Sequence, residues 1–366
     1  MGKIYFALGL MSGTSGDGVD SSIIQSDGMD KFMIKFNTYD PYPSHLSNEI
    51  HRIKEKIQSS KDLAKFANEL EFLEAKLTTF HAGVAKKWFK SIHVDMIGFH
   101  GQTIFHNSEE KISRQLGLGE KLSKLTKKTV IYNFRQNDLK NGGEGAPLAP
   151  IYHKLLVKAF RDRRKLKKKS PVIILNIGGI ANITTINEKY EMHSMDIGPG
   201  NCLIDKWIRL NSDKRFDENG NISRSGKIDK FILDQALDSF YYNKISKKKS
   251  LDTNDFELSF ARGLSLENGA ATITEFTADI LSKKLLDFDV YVCGGGRKNK
   301  FLLESIEKKI IGNLRIIDSL GIDGGYIESQ AFGYLAIRSF LGLPISFPET
   351  TGCIQPCTGG VIIKNY

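Results

Sequence analysis

No stretch of this 366-residue chain approaches the roughly 18 consecutive apolar residues that a membrane-spanning helix needs. The N-terminal run Ile4 to Met11 imitates a signal h-region, but a single Lys precedes it and a polar turn follows where a small-residue cleavage site would stand. Gly2 does not open a myristoylation signal, because Phe6 occupies the position that needs Ser or Thr. Cysteine is scarce and scattered: Cys202, Cys293, Cys353 and Cys357 form no CxxC pair and have no His at zinc spacing. That excludes a disulfide scaffold and fits small buried thiols in a reduced, cytoplasmic compartment. Neither a Walker A Gly-Lys-Ser/Thr nor a GxGxxG opening a helix is present.

Lys and Arg outnumber Asp and Glu by 52 to 42, a net charge of +10. Much of the excess sits in Arg161–Lys169 and Lys247–Lys249, without the interleaved aromatics or reader motif of a nucleic-acid binder. These runs are expected to be solvated helix ends or loops, and the basic balance to help draw in an anionic nucleotide.

What is present is a repeated device. An apolar strand, Ile4 to Leu10, runs into the polar turn Met11-Ser12-Gly13-Thr14-Ser15-Gly16-Asp17-Gly18-Val19-Asp20, and a second strand, Ser21 to Ile24, follows. Such a turn is either a polar surface hairpin or a phosphate cradle. In the second case Ser12, Thr14 and Ser15 supply hydroxyls, and Asp17 or Asp20 orients hydrated Mg²⁺. Half a chain later Val172 to Leu175, Gly178-Gly179 and Ile180 to Ile186 repeat strand, glycine turn and strand, which suggests two related lobes. A third turn, Gly294-Gly295-Gly296, follows the buried strand Val290–Cys293 and precedes the helix candidate Asn299–Lys309. It is either a tight βα turn or a site for phosphate or ribose.

Between these lie strands at Phe32–Phe36, Val94–Phe99 and Thr129–Phe134, and a helical stretch Ser44–Lys90 with Leu63, Phe66, Leu70, Leu73 and Leu77 on one face. Helices are expected at Cys202–Leu210, Ala270–Leu286 and Glu328–Leu341, and a partly mobile lid over Asn211–Asn254. The length predicts two lobes. Residues 1–138, completed by about 343–366, form the N-terminal one, and 139–342, beginning at the Gly/Pro-rich loop Asn141–Pro150, the C-terminal one.

Phosphoryl transfer needs converging backbone turns, Mg²⁺ and one positioned base. Asp196, ahead of the rigid Ile-Gly-Pro-Gly-Asn turn, is the carboxylate chosen as base, with an Asx-type cap as the alternative. His100, Gln102 and Thr103 offer sugar-type polar contacts, although a lone His is commonly structural. Arg135 and Asp138 are either an ion pair or, through Arg135, a reader of a substrate carboxylate.

At these residues the chain resembles the anhydro-N-acetylmuramic acid kinases of the sugar kinase/actin/Hsp70 superfamily. The motifs are GLMSGTSGDGVD (9–20), FHGQT (99–103), FRQNDLKNGGEGAPLAP (134–150), NIGGIAN (176–182), MDIGPGN (195–201), CGGGRKN (293–299) and ESQAFGYLA (328–336), in the family's order. The resemblance implies an α/β, two-lobed actin/hexokinase-like fold with duplicated ribonuclease-H-like cores around an ATP cleft, and a homodimer. It implies that water opens the 1,6-anhydro bond of 1,6-anhydro-N-acetylmuramic acid while O6 takes the γ-phosphoryl, giving N-acetylmuramic acid 6-phosphate, as in peptidoglycan recycling. Asp196 would be the base. Gly13, Thr14, Ser15, Gly16, Asp17, Gly18, Val19 and Asp20, with Gly178 and Gly179, would hold the ATP phosphates, and Gly294, Gly295 and Gly296 the nucleoside. His100, Gln102, Arg135, Asp138 and Glu328 would line the sugar site.

Four departures stand out: Gly16 for a larger apolar residue, Glu144 for a usual Gln, Cys353 for a usual Ala, and Lys247–Asp252 for a Pro-Pro-Lys-Ser-Thr-Gly segment. They leave Asp196 and the main glycines intact. Two other readings use the same fold: a kinase for an amino sugar with a free hydroxyl, and a nucleotide-dependent regulatory protein. The motifs run to the chain's end without an appended peptide-binding region, which weighs against the latter.

Overall fold

The computed structural model describes residues 2–163, 166, 170–242 and 251–365. The chain divides into two compact units, Met1–Asp162 with Tyr326–Tyr366, and Arg163–Gly325.

Among the described residues, the first unit holds a seven-stranded sheet. β1 (Tyr5–Ser12), β2 (Gly18–Ser26) and β3 (Phe32–Pro41) form an antiparallel meander. β4 (Met96–Asn107) lies parallel to β1, and β5 (Ile112–Leu116) folds back antiparallel on β4. β6 (Thr129–Tyr132) lies parallel to β4, and the C-terminal strand Val361–Ile363 pairs antiparallel with β6. β1 is buried from Ala7 to Ser12, as its unbroken apolar run requires of a central strand, whereas β3 includes the exposed Met33 and Tyr39 at the edge. Leu8, Leu10, Val19, Ile23, Ile97 and Phe99 pack with Ile50 and Leu77 of the covering helices.

The expected helical stretch 44–90 is three helices, Ser44–Lys56, Ser60–Lys65 and Ala67–Lys86. The first break falls where the Asp62 carboxylate accepts the N–H groups of Gln58 and Ser59, which starts a new helix.

In the second unit, β7 (Val172–Ile177), β8 (Ile180–Ile186) and β9 (Met192–Pro199) form another antiparallel meander. β10 (Asp289–Cys293) lies parallel to β7 and β11 (Leu314–Ile316) parallel to β10. Ile173, Leu175, Trp207, Ile273, Leu281, Val292 and Leu302 are among its core. The two sheets share one plan, three antiparallel strands followed by two parallel ones beside the first. This is the duplicated core that the resemblance implies.

The units part elsewhere than at 138/139 and 342/343. The first crossing falls after Asp162, because the helices Gln136–Lys140 and Pro150–Asp162, both unforeseen, stay with the first unit. The return falls at Tyr326, because the helix Ile327–Phe340 belongs to the first sheet: Ser329 Oγ lies 2.6 Å from Ser22 Oγ and Arg338 donates to the Gly28 carbonyl at 2.8 Å. Arg161, expected among solvated charges, is 1% exposed. It sits at the end of an amphipathic helix whose inner face carries it into the core.

Over its described part, 211–254 contains the helices Asn221–Ser225 and Lys230–Tyr242, the second burying Leu233, Ala236 and Phe240. Residues 247–250 of the departing segment and Arg164, Lys165 and Lys167–Lys169 of the basic run lie outside the described residues. No described helix is long and apolar enough to cross a membrane.

Candidate active site

The first glycine turn is a hairpin, with Thr14, Ser15 and Asp17 exposed at its tip. Protein donors take its carbonyls: Gln102 Nε2 reaches Gly13 O at 2.9 Å, Lys54 Nζ Thr14 O at 2.6 Å, Ser47 Oγ Gly16 O at 2.9 Å, and the Tyr42 N–H Asp17 O at 2.8 Å. A ligand at the tip therefore meets hydroxyls and one carboxylate, with Ser15 Oγ donating to Asp17 at 2.7 Å. Gly16 has φ +64°, and a Cβ there would stand 2.9 Å from Ile50 Cγ2, so the turn as folded here favours glycine over the larger apolar residue. Val19 is fully buried in the core and offers no side chain to a ligand, while Asp20 is half-buried on β2.

His100 and Gln102 lie inside β4, because the strand runs on to Asn107 and does not stop at Phe99. Gln102 is fully buried and braces the hairpin: its Oε1 accepts from Ser12 Oγ at 2.6 Å, and Ser12 Oγ accepts in turn from Tyr42 OH at 2.9 Å. Thr103 Oγ1 accepts from Gln115 at 3.3 Å.

His100 takes the opposite side of the strand. Its Nδ1–H donates to Gly101 O at 2.8 Å, which leaves Nε2 to accept from Arg135 Nη2 at 2.9 Å. Burial, then the Arg135 charge, hold its pKa well below the ordinary value. Arg135 also donates through Nη1 to Gly145 O at 2.8 Å. Burial lowers the guanidinium to about 10, with Glu328 and Asp138 acting in opposition, so it remains a cation at neutral pH.

Asp138, 1% exposed, closes this loop: Oδ2 accepts the Gly145 N–H at 2.7 Å and Oδ1 the Thr351 hydroxyl at 2.6 Å. Asp138 thus accepts the N–H of Gly145 and Arg135 donates to its C=O, which fixes the two successive peptide groups that flank this residue. Glu144 donates its backbone N–H to Thr351 O at 2.8 Å, and Lys111 Nζ holds the carbonyls of Gly142 and Gly143 at 3.0 Å each. Sequence reasoning missed Tyr42, Lys54 and Lys111, whose only signal is a polar end on an otherwise ordinary element.

In the second unit the Gly178-Gly179 turn joins β7 to β8. Its carbonyls accept from the N–H groups of Gly200, Asn201 and Cys202, which ties it to the Gly-Pro-Gly-Asn segment. Asp196 lies within β9, not at its end, and pairs with Asn182 beside a bulge. A bulge re-aims the neighbouring side chain. Asp196 is half-buried, and its Oδ2 accepts the Leu251 N–H at 2.9 Å, so the departing segment touches this carboxylate at its described end.

At the third turn Gly294 has φ +80°, and a Cβ would meet Asn176 Oδ1 at 2.4 Å; one on Gly296 would meet Ile177 Cγ2 at 2.2 Å. Two of the three glycines therefore serve packing on β7, and Gly295, with open space around it, is the one that can meet a ligand. Arg297 braces the turn through Gly294 O at 3.1 Å and salt bridges to Asp318 and Asp323 at 3.1 and 2.6 Å.

The family model for anhydro-N-acetylmuramic acid kinase matches residues 5–365. A protein of that name from Pelagibacter ubique (strain HTCC1062) is 49% identical over 384 residues, covering 100% of both chains. Another, from Agrobacterium fabrum (strain C58 / ATCC 33970), is 34% identical over 377 residues, again covering 100% of both. The solved structure of the Acidaminococcus fermentans (R)-2-hydroxyglutaryl-CoA dehydratase component A is a distant likeness, 11% identical with a TM-score of 0.41 over 91% of this chain and 99% of that one. Full-length matches at these identities decide the matter: the chain belongs to the anhydro-N-acetylmuramic acid kinase family.

Proposed function

We propose that this protein is the ATP-dependent kinase that opens 1,6-anhydro-N-acetylmuramic acid with water and phosphorylates O6, yielding N-acetylmuramic acid 6-phosphate, with Asp196 as its base. The full-length match to kinases of that name carries the reading. Glycoside cleavage ordinarily uses one carboxylate for water and a second as acid on the leaving oxygen. Here O6 leaves onto phosphorus, so the phosphoryl group replaces the acid's proton and one base is sufficient. Asp196, half-buried on a strand and oriented by the Leu251 N–H, suits that role. It takes a proton from water as the oxygen attacks the anomeric carbon and the anomeric C–O6 bond breaks, while O6 bonds to the γ-phosphorus, the bond to the β–γ bridging oxygen breaks and ADP leaves.

The hairpin tip, Gly13 to Gly18, is proposed to hold the ATP phosphates, with Thr14 and Ser15 donating, and Gly178 and Gly179 to support them. Gly295, on the frame of Gly294 and Gly296, is proposed to face the nucleoside. Asp17, exposed beside Ser15, and Asp20 have the oxygen chemistry to hold hydrated Mg²⁺, which would neutralise phosphate charge. Arg135, a cation whose remaining N–H groups are free of Gly145 and His100, suits the carboxylate of a muramic sugar, with Glu328 and neutral His100 beside it. Asp138 acts by holding the 142–145 loop, and Gln102 by holding the hairpin.

The test is a coupled assay with Mg-ATP and three acceptors, 1,6-anhydro-N-acetylmuramic acid, N-acetylglucosamine and N-acetylmuramic acid, with H₂¹⁸O as solvent. Label in the anomeric hydroxyl of a 6-phosphate formed from the anhydrosugar is the expected result. Turnover of a rival acceptor alone would replace this reading with that of an ordinary amino-sugar kinase.

A further inference from the structure

Cys353 and Cys357 follow the short helix Pro348–Thr351, and the fold brings both thiols to the Asp138 carboxylate. One donor atom from each of the three lies within 4.8 Å of the other two, and Cys357 Sγ is 3.9 Å from Asp138 Oδ1. All three residues are buried, at 1% exposure for Asp138 and Cys353 and 8% for Cys357. The surroundings hold them in place. Thr351 Oγ1 and the Gly145 N–H fix the carboxylate, and Cys357 exchanges backbone hydrogen bonds with Ser346 at 3.1 and 3.3 Å.

We propose that Asp138, Cys353 and Cys357 form a binding site for one thiophilic divalent cation of the zinc class, bound by two thiolates and one carboxylate oxygen, with water as the fourth ligand. Two sulfurs and one oxygen are a set that zinc accepts and that magnesium and calcium, which require oxygen, do not. Zinc–sulfur bonds of about 2.3 Å in a tetrahedron place two sulfurs about 3.8 Å apart, so donors already within 4.8 Å need only a small inward shift. Binding replaces two S–H bonds by two metal–sulfur bonds and releases two protons to solvent. Dication, two thiolates and carboxylate sum to one negative charge, which faces the Arg135 guanidinium that Asp138 already stabilises. Thr351 and Gly145, which orient the carboxylate, are the outer partners that a metal site requires.

The experiment uses the full-length, fully reduced protein under anaerobic conditions with Co²⁺ as probe. The expected result is one equivalent bound with thiolate-to-cobalt absorption bands, displaced by Zn²⁺. Bound Zn²⁺ should also protect Cys353 and Cys357 of the unmutated protein from N-ethylmaleimide, read by mass spectrometry. Cys353→Ala and Cys357→Ser should lose the bands and weaken Zn²⁺ by at least roughly 10- to 100-fold in competition with a chromophoric chelator. Cys202→Ala, in the other unit, should retain both. Absence of thiolate bands in the unmutated protein, bands that survive Cys353→Ala with Cys357→Ser, or alkylation unaffected by Zn²⁺ would each overturn the proposal. Neither sugar nor ATP enters the experiment, so its outcome is independent of the kinase activity.

Discussion

Nε2 of His100 accepts a hydrogen bond from Arg135 at 2.9 Å, while the same ring donates through Nδ1 to the carbonyl of its neighbour Gly101. A protonated ring would carry a hydrogen on both nitrogens and point one at a cation, so His100 is neutral in the fold.

Other buried imidazoles share its fate. Burial lowers His81 to about 4 and His153 to about 3, against about 6.5 in an unfolded chain. Their folded pKa values are depressed, so the unfolded state binds the extra protons, and the stability they contribute is fully present above about pH 6.5 and lost as pH falls toward 4 and 3. Each should cost about 1.4 kcal/mol per pH unit across that window. Denaturant midpoints at pH 7.5, 6.0 and 5.0 should fall accordingly, and the ring resonances of His81 and His153 should not titrate above pH 5. A midpoint that is flat down to pH 5 would contradict the buried neutral rings.

Asp196→Asn preserves the shape of the side chain and the acceptor for Leu251 while removing the base. Turnover should drop by about 10²- to 10⁴-fold, the range that general-base removal produces. ATP affinity by calorimetry should stay within a few-fold, because a base acts mainly in the transition state. A comparable loss of ATP binding would move Asp196 from base to nucleotide support.

Gln102 separates two roles that motif position alone cannot. Gln102→Leu removes the amide that holds Gly13 O and Ser12 Oγ. Losing about 1 kcal/mol of positioning should raise KM for ATP roughly five- to tenfold with little change in KM for the sugar. A rise confined to the sugar KM would return Gln102 to direct sugar contact.

Gly294 and Gly295 are adjacent and should respond oppositely to alanine. At Gly294 a left-handed φ and a Cβ 2.4 Å from Asn176 Oδ1 should cost about 2 kcal/mol or more in thermal unfolding. At Gly295 nothing lies within 4 Å, so stability should stay within about 0.5 kcal/mol while ATP KM rises if the nucleoside approaches there. Equal stability losses at both positions would refute this division of labour.

Alternation and turn chemistry were enough to read both antiparallel hairpins from the residues, since these signals act within a few positions. The order and wording of the glycine turns carried the family and its duplicated core. Several partnerships were not readable, because they join distant residues through sheet register and chain return. Gln102 meets Gly13 across 89 positions, Leu251 meets Asp196 across 55, and Thr351 meets Asp138 across 213. The length of β4 is of the same kind: local signals end it at Phe99, but pairing with β5 carries it through His100 and Gln102 to Asn107. Local signals therefore made most of the elements, the glycine turns and the kind of chemistry legible, though not the helices Gln136–Lys140 and Pro150–Asp162. Packing alone made Gln102 brace the hairpin, set Arg135 and Asp138 on the two peptide groups that flank Gly145, and brought the Cys353-x3-Cys357 pair to the Asp138 carboxylate. Propensity and periodicity are properties of neighbouring residues, whereas a hydrogen-bond partner is chosen by packing.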